Sequence, residues 1–239
     1  MFDDVEGIIR RTMVLFYVID TSGSMTGERI EAVNTAIKEV IPTIKEISDE
    51  NADAQIKIAV LEFSTGARWI TPNGPMEIDD FQWNDLKPDG VTDLGAACKA
   101  LNEKLSTKAF MNEPSPSFAP AIFLLSDGLP TDDWQAELSK LKQNNWFKAA
   151  VKVAVAIDED ADQDIQDVLA EFTGTKEAVL EAYNPAILKK IIKFVSVRSV
   201  QVGARVQATP YGYEGKQAEL NDAFLQEFIE ETTANQTDW

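Results

Sequence analysis

The chain predicts an α/β fold: a doubly wound, mostly parallel central sheet flanked by helices, with one short antiparallel edge strand. Three observations carry that prediction. Apolar runs of strand length at Met13–Ile19, Ala121–Leu125 and Val151–Ile157 show no polar alternation, as strands covered on both faces require. Between them lie segments whose apolar residues recur every three to four positions, the helical period. The first run ends in Asp20-Thr-Ser-Gly-Ser24. That motif sets one carboxylate and two hydroxyls on a tight turn between strand and helix, at the rim where open α/β sheets bind ligands.

The elements follow in order. After Met13–Ile19 comes a helix over Glu28–Ile47, with Ile30, Val33, Ile37, Val40, Ile41 and Ile44 on one face and a kink expected at Pro42. Ile56–Phe63 is a strand rich in β-branched residues, and Ala67–Ile70 returns beside it as a hairpin around Thr65-Gly66. Leu94–Leu105 is a helix capped by Thr92 or Asp93. A Pro/Ser loop over Asn112–Ala119 leads into Ala121–Leu125. Asp132–Lys142 reads as a helix with Thr131 as its cap and Asp132 and Asp133 in its first turn, where acidic residues favour the helix dipole. Val151–Ile157 is followed by helices over Ala161–Phe172 and Pro185–Val195, with a short strand at Ala178–Leu180 between them.

The last part of the chain has a different pattern. Val200, Val202, Ala204 and Val206 alternate with polar residues as in a half-buried strand. Leu220, Phe224 and Phe228 form one apolar face on an acidic helix. The expected division is therefore one domain over 1–198 and an acidic extension over 199–239, which either folds back on that domain or docks on a partner.

Composition removes several function classes. A net charge of −18 over 239 residues disfavours a nucleic-acid partner. The chain has no histidine, which excludes His-based general bases and His-bound metals. Its single cysteine, Cys98, has no disulfide partner within the chain, in keeping with a reducing compartment. Asp3, Asp4 and Glu6 stand where a secretion signal would be basic and then apolar, and no apolar run approaches the roughly 20 residues that span a bilayer. The expectation is a cytoplasmic protein with no membrane contact. Asn235-Gln236-Thr237 matches a glycosylation triplet and is read as chance.

Two further rim loops repeat the oxygen chemistry of the first. Asp89-Gly-Val-Thr92-Asp-Leu-Gly95 precedes a helix, and Ser126-Asp127-Gly-Leu-Pro-Thr131 follows a buried strand. One strand-end Asp-Gly is often only a turn. Three such loops in this order bring Asp20, Ser22, Ser24, Thr92 and Asp127 toward one point. Hard oxygen donors without nitrogen or sulfur suit Mg²⁺, with Mn²⁺ or Ca²⁺ as other occupants.

Through Asp20-Thr-Ser-Gly-Ser24, Gly90-Val-Thr92-Asp-Leu-Gly95 and Leu125-Ser-Asp127-Gly-Leu-Pro-Thr131, the chain resembles the von Willebrand factor A domain family over about residues 12–198. The resemblance implies a Rossmann-like fold and a metal-ion-dependent adhesion site (MIDAS). It implies that Ser22 and Ser24 coordinate through their hydroxyls and that Thr92 coordinates directly or through water. Asp20 and Asp127 then act through bound waters and hydrogen bonds. It further implies a protein partner whose acidic residue completes the coordination. Among its branches, the chain looks most like bacterial cytoplasmic proteins associated with tellurite resistance, through Ile30-Glu-Ala-Val-Asn34 and Phe194-Val-Ser196. Val91 departs from the family habit of two glycines before the threonine and stiffens that loop.

Other readings are weaker. Ser22 and Ser24 could cap the first helix. Cys98 shares a helix face with Leu94, Leu101 and Leu105 and reads as core. Trp69, Trp83 and Trp134 read as packing anchors near the rim. The chain lacks a Walker loop, a Gly-x-Ser-x-Gly elbow and an Arg six positions after Cys98, where Lys104 stands. The strongest enzymatic alternative is a Mg²⁺-dependent phosphatase-like hydrolase, which wants a second Asp where this chain has Ser22. A scaffold subunit for an ATPase, kinase or phosphatase is the third class. The expected function is a metal-dependent protein-binding module rather than an enzyme.

Overall fold

The computed structural model describes residues 10–203 apart from 53, 113–116, 158–162 and 183, together with 218 and 222. Among the described residues, seven strands form one sheet: β1 (Arg11–Asp20), β2 (Ala54–Ser64), β3 (Gly66–Trp69), β4 (Met76–Glu77), β5 (Ala121–Ser126), β6 (Val151–Ala156) and β7 (Val179–Glu181). Their order is β3-β2-β1-β5-β6-β7, with β4 also paired to β2. The pairs β1–β2, β1–β5, β5–β6 and β6–β7 are parallel, whereas β3 and β4 both run antiparallel to β2. The expected fold class is thus observed, with β4 as a second short antiparallel strand. Its two residues are too few to leave a periodic signal in the sequence.

Helices α1 (Glu28–Glu50), α2 (Leu94–Lys104), α3 (Trp134–Leu141), α4 (Asn145–Ala149), α5 (Gln163–Thr173) and α6 (Pro185–Gly203) cover both faces. The side-chain alternation of a strand sorts β1 between two cores. Met13, Leu15, Tyr17 and Ile19 pack with α1 and α6, while Val14, Phe16 and Val18 pack with α2, α3 and α5. Both faces of β1 are covered, which explains its unbroken apolar run. Cys98 lies in the second core, fully buried, and burial pushes its thiol up to about 12. It is a packing residue, not a reactive thiol.

Chain order fixes where a site can form. From β1 the chain crosses to β2 on one side, and from β2 it returns past β1 to β5 on the other. The switch in direction leaves a crevice beyond the carboxyl ends of β1 and β5. Asp20 is the last residue of β1, and Asp127 directly follows β5.

Three local expectations are corrected. α3 begins at Trp134 rather than Asp132, and Thr131 does not cap it, because Thr131 and Asp132 are bound to the neighbouring loop as described below. α4 lies in a segment with no predicted element; the Asn144 side chain accepts from the backbone of Trp146 and Phe147 and starts this short helix. α6 continues through Val200 and Val202 to Gly203, where a strand was expected. The register set by Leu188, Ile191, Ile192 and Val195 against the sheet carries the helix on, overriding the β preference of valine. Ala204, Val206 and the Leu220/Phe224/Phe228 face lie outside the described residues. α1 passes through Pro42 without a break in its assignment. No helix among the described residues is long and apolar enough to cross a membrane.

Candidate metal centre

Asp20 sits at the bottom of the crevice with none of its surface exposed. One carboxylate oxygen accepts the backbone N–H of Ser22 at 2.8 Å, which folds the chain sharply after β1. The other accepts the Ser126 hydroxyl at 2.5 Å, joining the ends of β1 and β5. Burial is the main reason its pKa is raised to about 6, against the lowering effect of the bonds from Ser126 and Ser22; the nearby Asp127 adds to the rise.

Above Asp20 runs a chain of oxygens. Ser22 Oγ and Ser24 Oγ are 3.0 Å apart, and Ser24 Oγ donates to Asp127 Oδ1 at 2.8 Å. A hydroxyl carries one proton, so Ser24 directs its proton to Asp127 and accepts from Ser22. The second oxygen of Asp127 meets the Arg29 guanidinium at 2.7 Å.

Thr92 enters from the second loop, 89–95, and is held by its backbone. Its N–H donates to the Thr131 hydroxyl at 3.2 Å, and its carbonyl accepts from the Thr131 N–H at 2.8 Å. Its own hydroxyl faces the residue after Asp127: a methyl added at Gly128 would lie 3.5 Å from Thr92 Oγ1. Gly23 N–H donates to Gly90 O at 3.1 Å and Asp89 N–H to Thr21 O at 2.8 Å, so the first and second loops are also tied. All five predicted residues therefore belong to one cluster. Asp20, Ser22, Ser24 and Asp127 lie in a single hydrogen-bonded network through Ser22, Ser24 and Ser126, and Thr92 stands beside it.

The cluster can hold a small divalent ion. Metal–oxygen distances of 2.0–2.1 Å in an octahedron put neighbouring ligand oxygens about 2.9 Å apart. The Ser22 and Ser24 hydroxyl oxygens, the two candidate direct ligands here, lie within hydrogen-bonding distance at 3.0 Å, close to that edge. Among the described residues no group of three or more His, Cys, Asp or Glu side chains converges, at this crevice or away from it. The hydroxyls, not a cage of carboxylates, make this site.

Several supporting residues carried no clear signal in the sequence. Asp93 occupies the position before α2 yet does not cap it; its carboxylate accepts from Gly66 N and the Thr131 hydroxyl. The start of α2 is served instead by Asp132, which accepts from Gly95 N and Ala96 N, each at 2.9 Å. A methyl at Gly95 would come within 2.7 Å of that carboxylate, which accounts for the glycine. The buried Asn34 on α1 bonds both the N–H and the C=O of Leu86 and accepts from the Trp83 indole, anchoring the segment before Thr92. Trp69 packs against Phe16 and Phe110, and Trp134 is buried, as anchors do.

The family model of the von Willebrand factor type A domain matches residues 15–193. Proximal thread matrix protein 1 from the mussel byssus, solved with a zinc-occupied MIDAS motif, is 18% identical over 78% of this chain and 48% of that one, with a TM-score of 0.57. The vWF domain of the type V pilus tip protein Mfa5 from Porphyromonas gingivalis is 10% identical over 85% of this chain and 99% of that one, with a TM-score of 0.60. The ArnB paralog VWA2 from Sulfolobus acidocaldarius is 18% identical over 77% and 45%, with a TM-score of 0.54. At such identities the likeness is one of fold. The chain spans 48% of the mussel protein and 31% of the Lactobacillus rhamnosus pilus adhesin SpaC. No curated protein matches it significantly.

Proposed function

We propose a function from one established premise: the chain belongs to the von Willebrand factor type A domain family. Such domains are in general adhesion or interaction modules. The reading offered for this chain is a protein-binding module that works through a divalent ion, Mg²⁺ first and Mn²⁺ as its close substitute. The observation that carries it is the pair of Ser22 and Ser24 hydroxyls, 3.0 Å apart, set between the buried Asp20 and Asp127.

In this reading Ser22 and Ser24 bind the ion through neutral oxygens, and Thr92 completes the protein's side of the site. Asp20 and Asp127 aim those hydroxyls and hold bound water. With a divalent ion held by these residues, a carboxylate of the partner would complete its ligands. Because few carboxylates touch the ion, much of its charge remains available to that partner in a partly desolvated crevice.

The hydrolase alternative needs an accessible aspartate nucleophile. Asp20 has no exposed surface, and both its oxygens accept hydrogen bonds, which weighs against it. The scaffold alternative is compatible with the same site and differs only in the partner. Placement in the cytoplasm rests on composition, chiefly the single cysteine, and a bacterial stress or tellurite-resistance setting on chain size and short sequence phrases; the compared structures include pilus and byssus proteins.

Calorimetric titration with Mn²⁺ tests the site. The wild type should bind one ion and Ser22→Ala/Ser24→Ala should not. Equal binding by both would refute the assignment. With a captured partner, EDTA should release the complex.

A further inference from the structure

β3 ends the sheet beside β2, and β4 pairs with β2 lower down, at Lys57 and Ile58, without covering it. Ile70 N–H donates to Val60 O at 2.8 Å. Main-chain groups alternate in direction along an antiparallel strand, so Ile70 and Arg68 turn theirs toward β2 while Ala67 and Trp69 turn theirs outward. Among the described residues those outward groups have no hydrogen-bond partner. The Trp69 ring packs edge-on against Phe16 and Phe110 on the α2 face, at 6.1 and 4.8 Å between centroids, and holds this open edge in place.

On the opposite, α1 face an open hollow of about 410 Å³ lies between β3 and residues 84–87. Ile70, Pro72 and Leu86 give it an apolar wall. Its acids are already engaged. Arg68 Nε and Nη2 reach one oxygen of Glu62 at 2.8 and 2.5 Å, and Asp85 pairs with Lys38. The Glu62 side chain is 15% exposed, whereas that of Arg68 is 73% exposed. Lys87, also on the hollow, is exposed and has no ion pair with a described residue. The charges that meet an incoming group at close range are therefore the two cations.

We propose that β3 is a second docking surface: it takes an extended segment of a partner protein as an added strand, with an acidic side chain opposite Arg68 and an apolar one opposite Ile70. This surface needs no metal ion and does not depend on the reading of the crevice. The outward N–H and C=O groups of Ala67 and Trp69 bond the added main chain, and the hollow sorts its side chains. Residues directly opposite one another share a face of the sheet at roughly 5 Å between Cβ atoms, so an acid opposite Arg68 also approaches Lys87. Two positions along, on the same face, an apolar side chain rests on Ile70, Pro72 and Leu86. The acidic surface elsewhere on the chain is screened beyond about 8 Å at physiological salt, which leaves the contact charges to decide. A second copy of the chain fits poorly. Two-fold pairing through Ala67 and Trp69 of both copies sets Arg68 against Arg68, and like charges directly opposite are destabilising.

The test uses the whole chain, isotope-labelled, in EDTA at physiological salt, titrated by NMR. The probe is the acetylated and amidated peptide Thr-Val-Thr-Glu-Thr-Val-Thr, with counterparts carrying Gln or Lys at its centre. Amide shifts should concentrate at Ala67–Ile70. The Glu peptide should bind about two- to fivefold more tightly than the Gln peptide, the size of one opposite-charge pair across strands, and the Lys peptide should bind weakest. Arg68→Glu should prefer the Lys peptide to the Glu peptide. Ala67→Pro removes an outward donor at an edge position that tolerates proline and should weaken all three peptides by about tenfold. Thermal melts of both variants identify any loss of fold. Should Ala67→Pro not fold, the reversal in Arg68→Glu, which leaves the main chain unaltered, decides the question.

No binding by any of the peptides overturns the docking surface and leaves the metal centre standing, since no ion is present. Equal affinity for the three peptides overturns the acidic preference. Shifts at Ser22 and Thr92 in place of Ala67–Ile70 would seat the peptide in the crevice and overturn the assignment to β3. A wild-type dimer that Ala67→Pro converts to a monomer would give the edge to a second copy and overturn the partner.

Discussion

Asp20 and Asp132 are two carboxylates on the same rim, and the fold treats them in opposite ways. Asp20 is sealed beneath the serines, where burial raises its pKa to about 6. Asp132 receives two backbone N–H groups at the start of α2, where the helix dipole favours an anion. The first is a charge the metal-free protein would be more stable without. The second fastens one loop of the rim to the helix that begins at the other. The rim therefore separates its tasks: the crevice between β1 and β5 holds chemistry at some loss of stability, and the flank at Thr92–Thr131–Asp132 supplies the rigidity that keeps the crevice open.

The largest effect that could break this comparison is at Asp20. Replacing it by Asn should stabilise the protein in EDTA at pH 7.5 by up to about 3 kcal/mol, the free-energy equivalent of a roughly hundredfold difference in proton affinity between the folded and unfolded chain. The same replacement should abolish Mn²⁺ binding. The sign follows from linkage. An acid whose folded pKa of about 6 exceeds its unfolded value near 3.9 favours the neutral form on folding. The penalty is absent below about pH 4, grows between pH 4 and 6, and is complete above that. Thermal melts of both proteins in EDTA should converge at pH 4 and separate by pH 7. A constant gap across that range would mean that the charge of Asp20 is not what destabilises the fold.

Smaller, and opposite in sign, is the effect at the flank. Asp132→Ala should cost about 1–2 kcal/mol, the usual loss of a helix N-terminal acceptor. Mn²⁺ affinity should stay close to that of the wild type, because Thr92 is still held by both backbone contacts to Thr131. Urea unfolding with a parallel titration separates the two. Loss of Mn²⁺ binding equal to that of Ser22→Ala/Ser24→Ala would erase the division between chemistry and rigidity.

The same contrast explains what the sequence disclosed. The sheet was legible because β1, β5 and β6 are covered on both faces and read as nearly unbroken apolar runs, Lys152 in β6 and the strand-end residues apart. Asp20, Ser22, Ser24, Thr92 and Asp127 were legible because strand-end loops in this chain order must meet at the switch point. The flank was not. Asp93 and Asp132 each stand where a residue caps its own helix, yet each bonds a neighbouring loop. Local propensity sees only the adjoining helix, and the exchange depends on how the two loops pack. Arg29 was hidden for the same reason: a basic residue in the first turn of a helix is locally unfavourable, and its ion pair with Asp127 across the crevice leaves no local signal. At Val200 and Val202 a period-two pattern was read correctly as a pattern and wrongly as a strand, because a helix already seated on the sheet runs through it.

The smallest effect lies on the face away from α2 and measures how far the rim is independent of the core beneath it. Tyr17 on β1 is fully buried against α1 and α6, and its hydroxyl lies 2.7 Å from that of Ser196. Ser196 donates its one proton to the Ile192 carbonyl at 2.6 Å, so Tyr17 is the donor in the pair. Burial raises the phenol well above its ordinary pKa, and it stays neutral at any working pH. Tyr17→Phe keeps the ring and its tilted contact with Phe123 while removing that donor. The expected loss is about 1 kcal/mol, that of one neutral buried hydrogen bond, since Ser196 keeps its bond to Ile192. Asp20 follows Tyr17 by three positions along β1, an odd offset that points their side chains to opposite faces of the sheet. Mn²⁺ affinity should therefore be unchanged in Tyr17→Phe. A shift in that affinity comparable to the one at Asp20 would show that α6 and the crevice respond as one unit, and the separation of tasks at the rim would have to extend through the sheet to its far side.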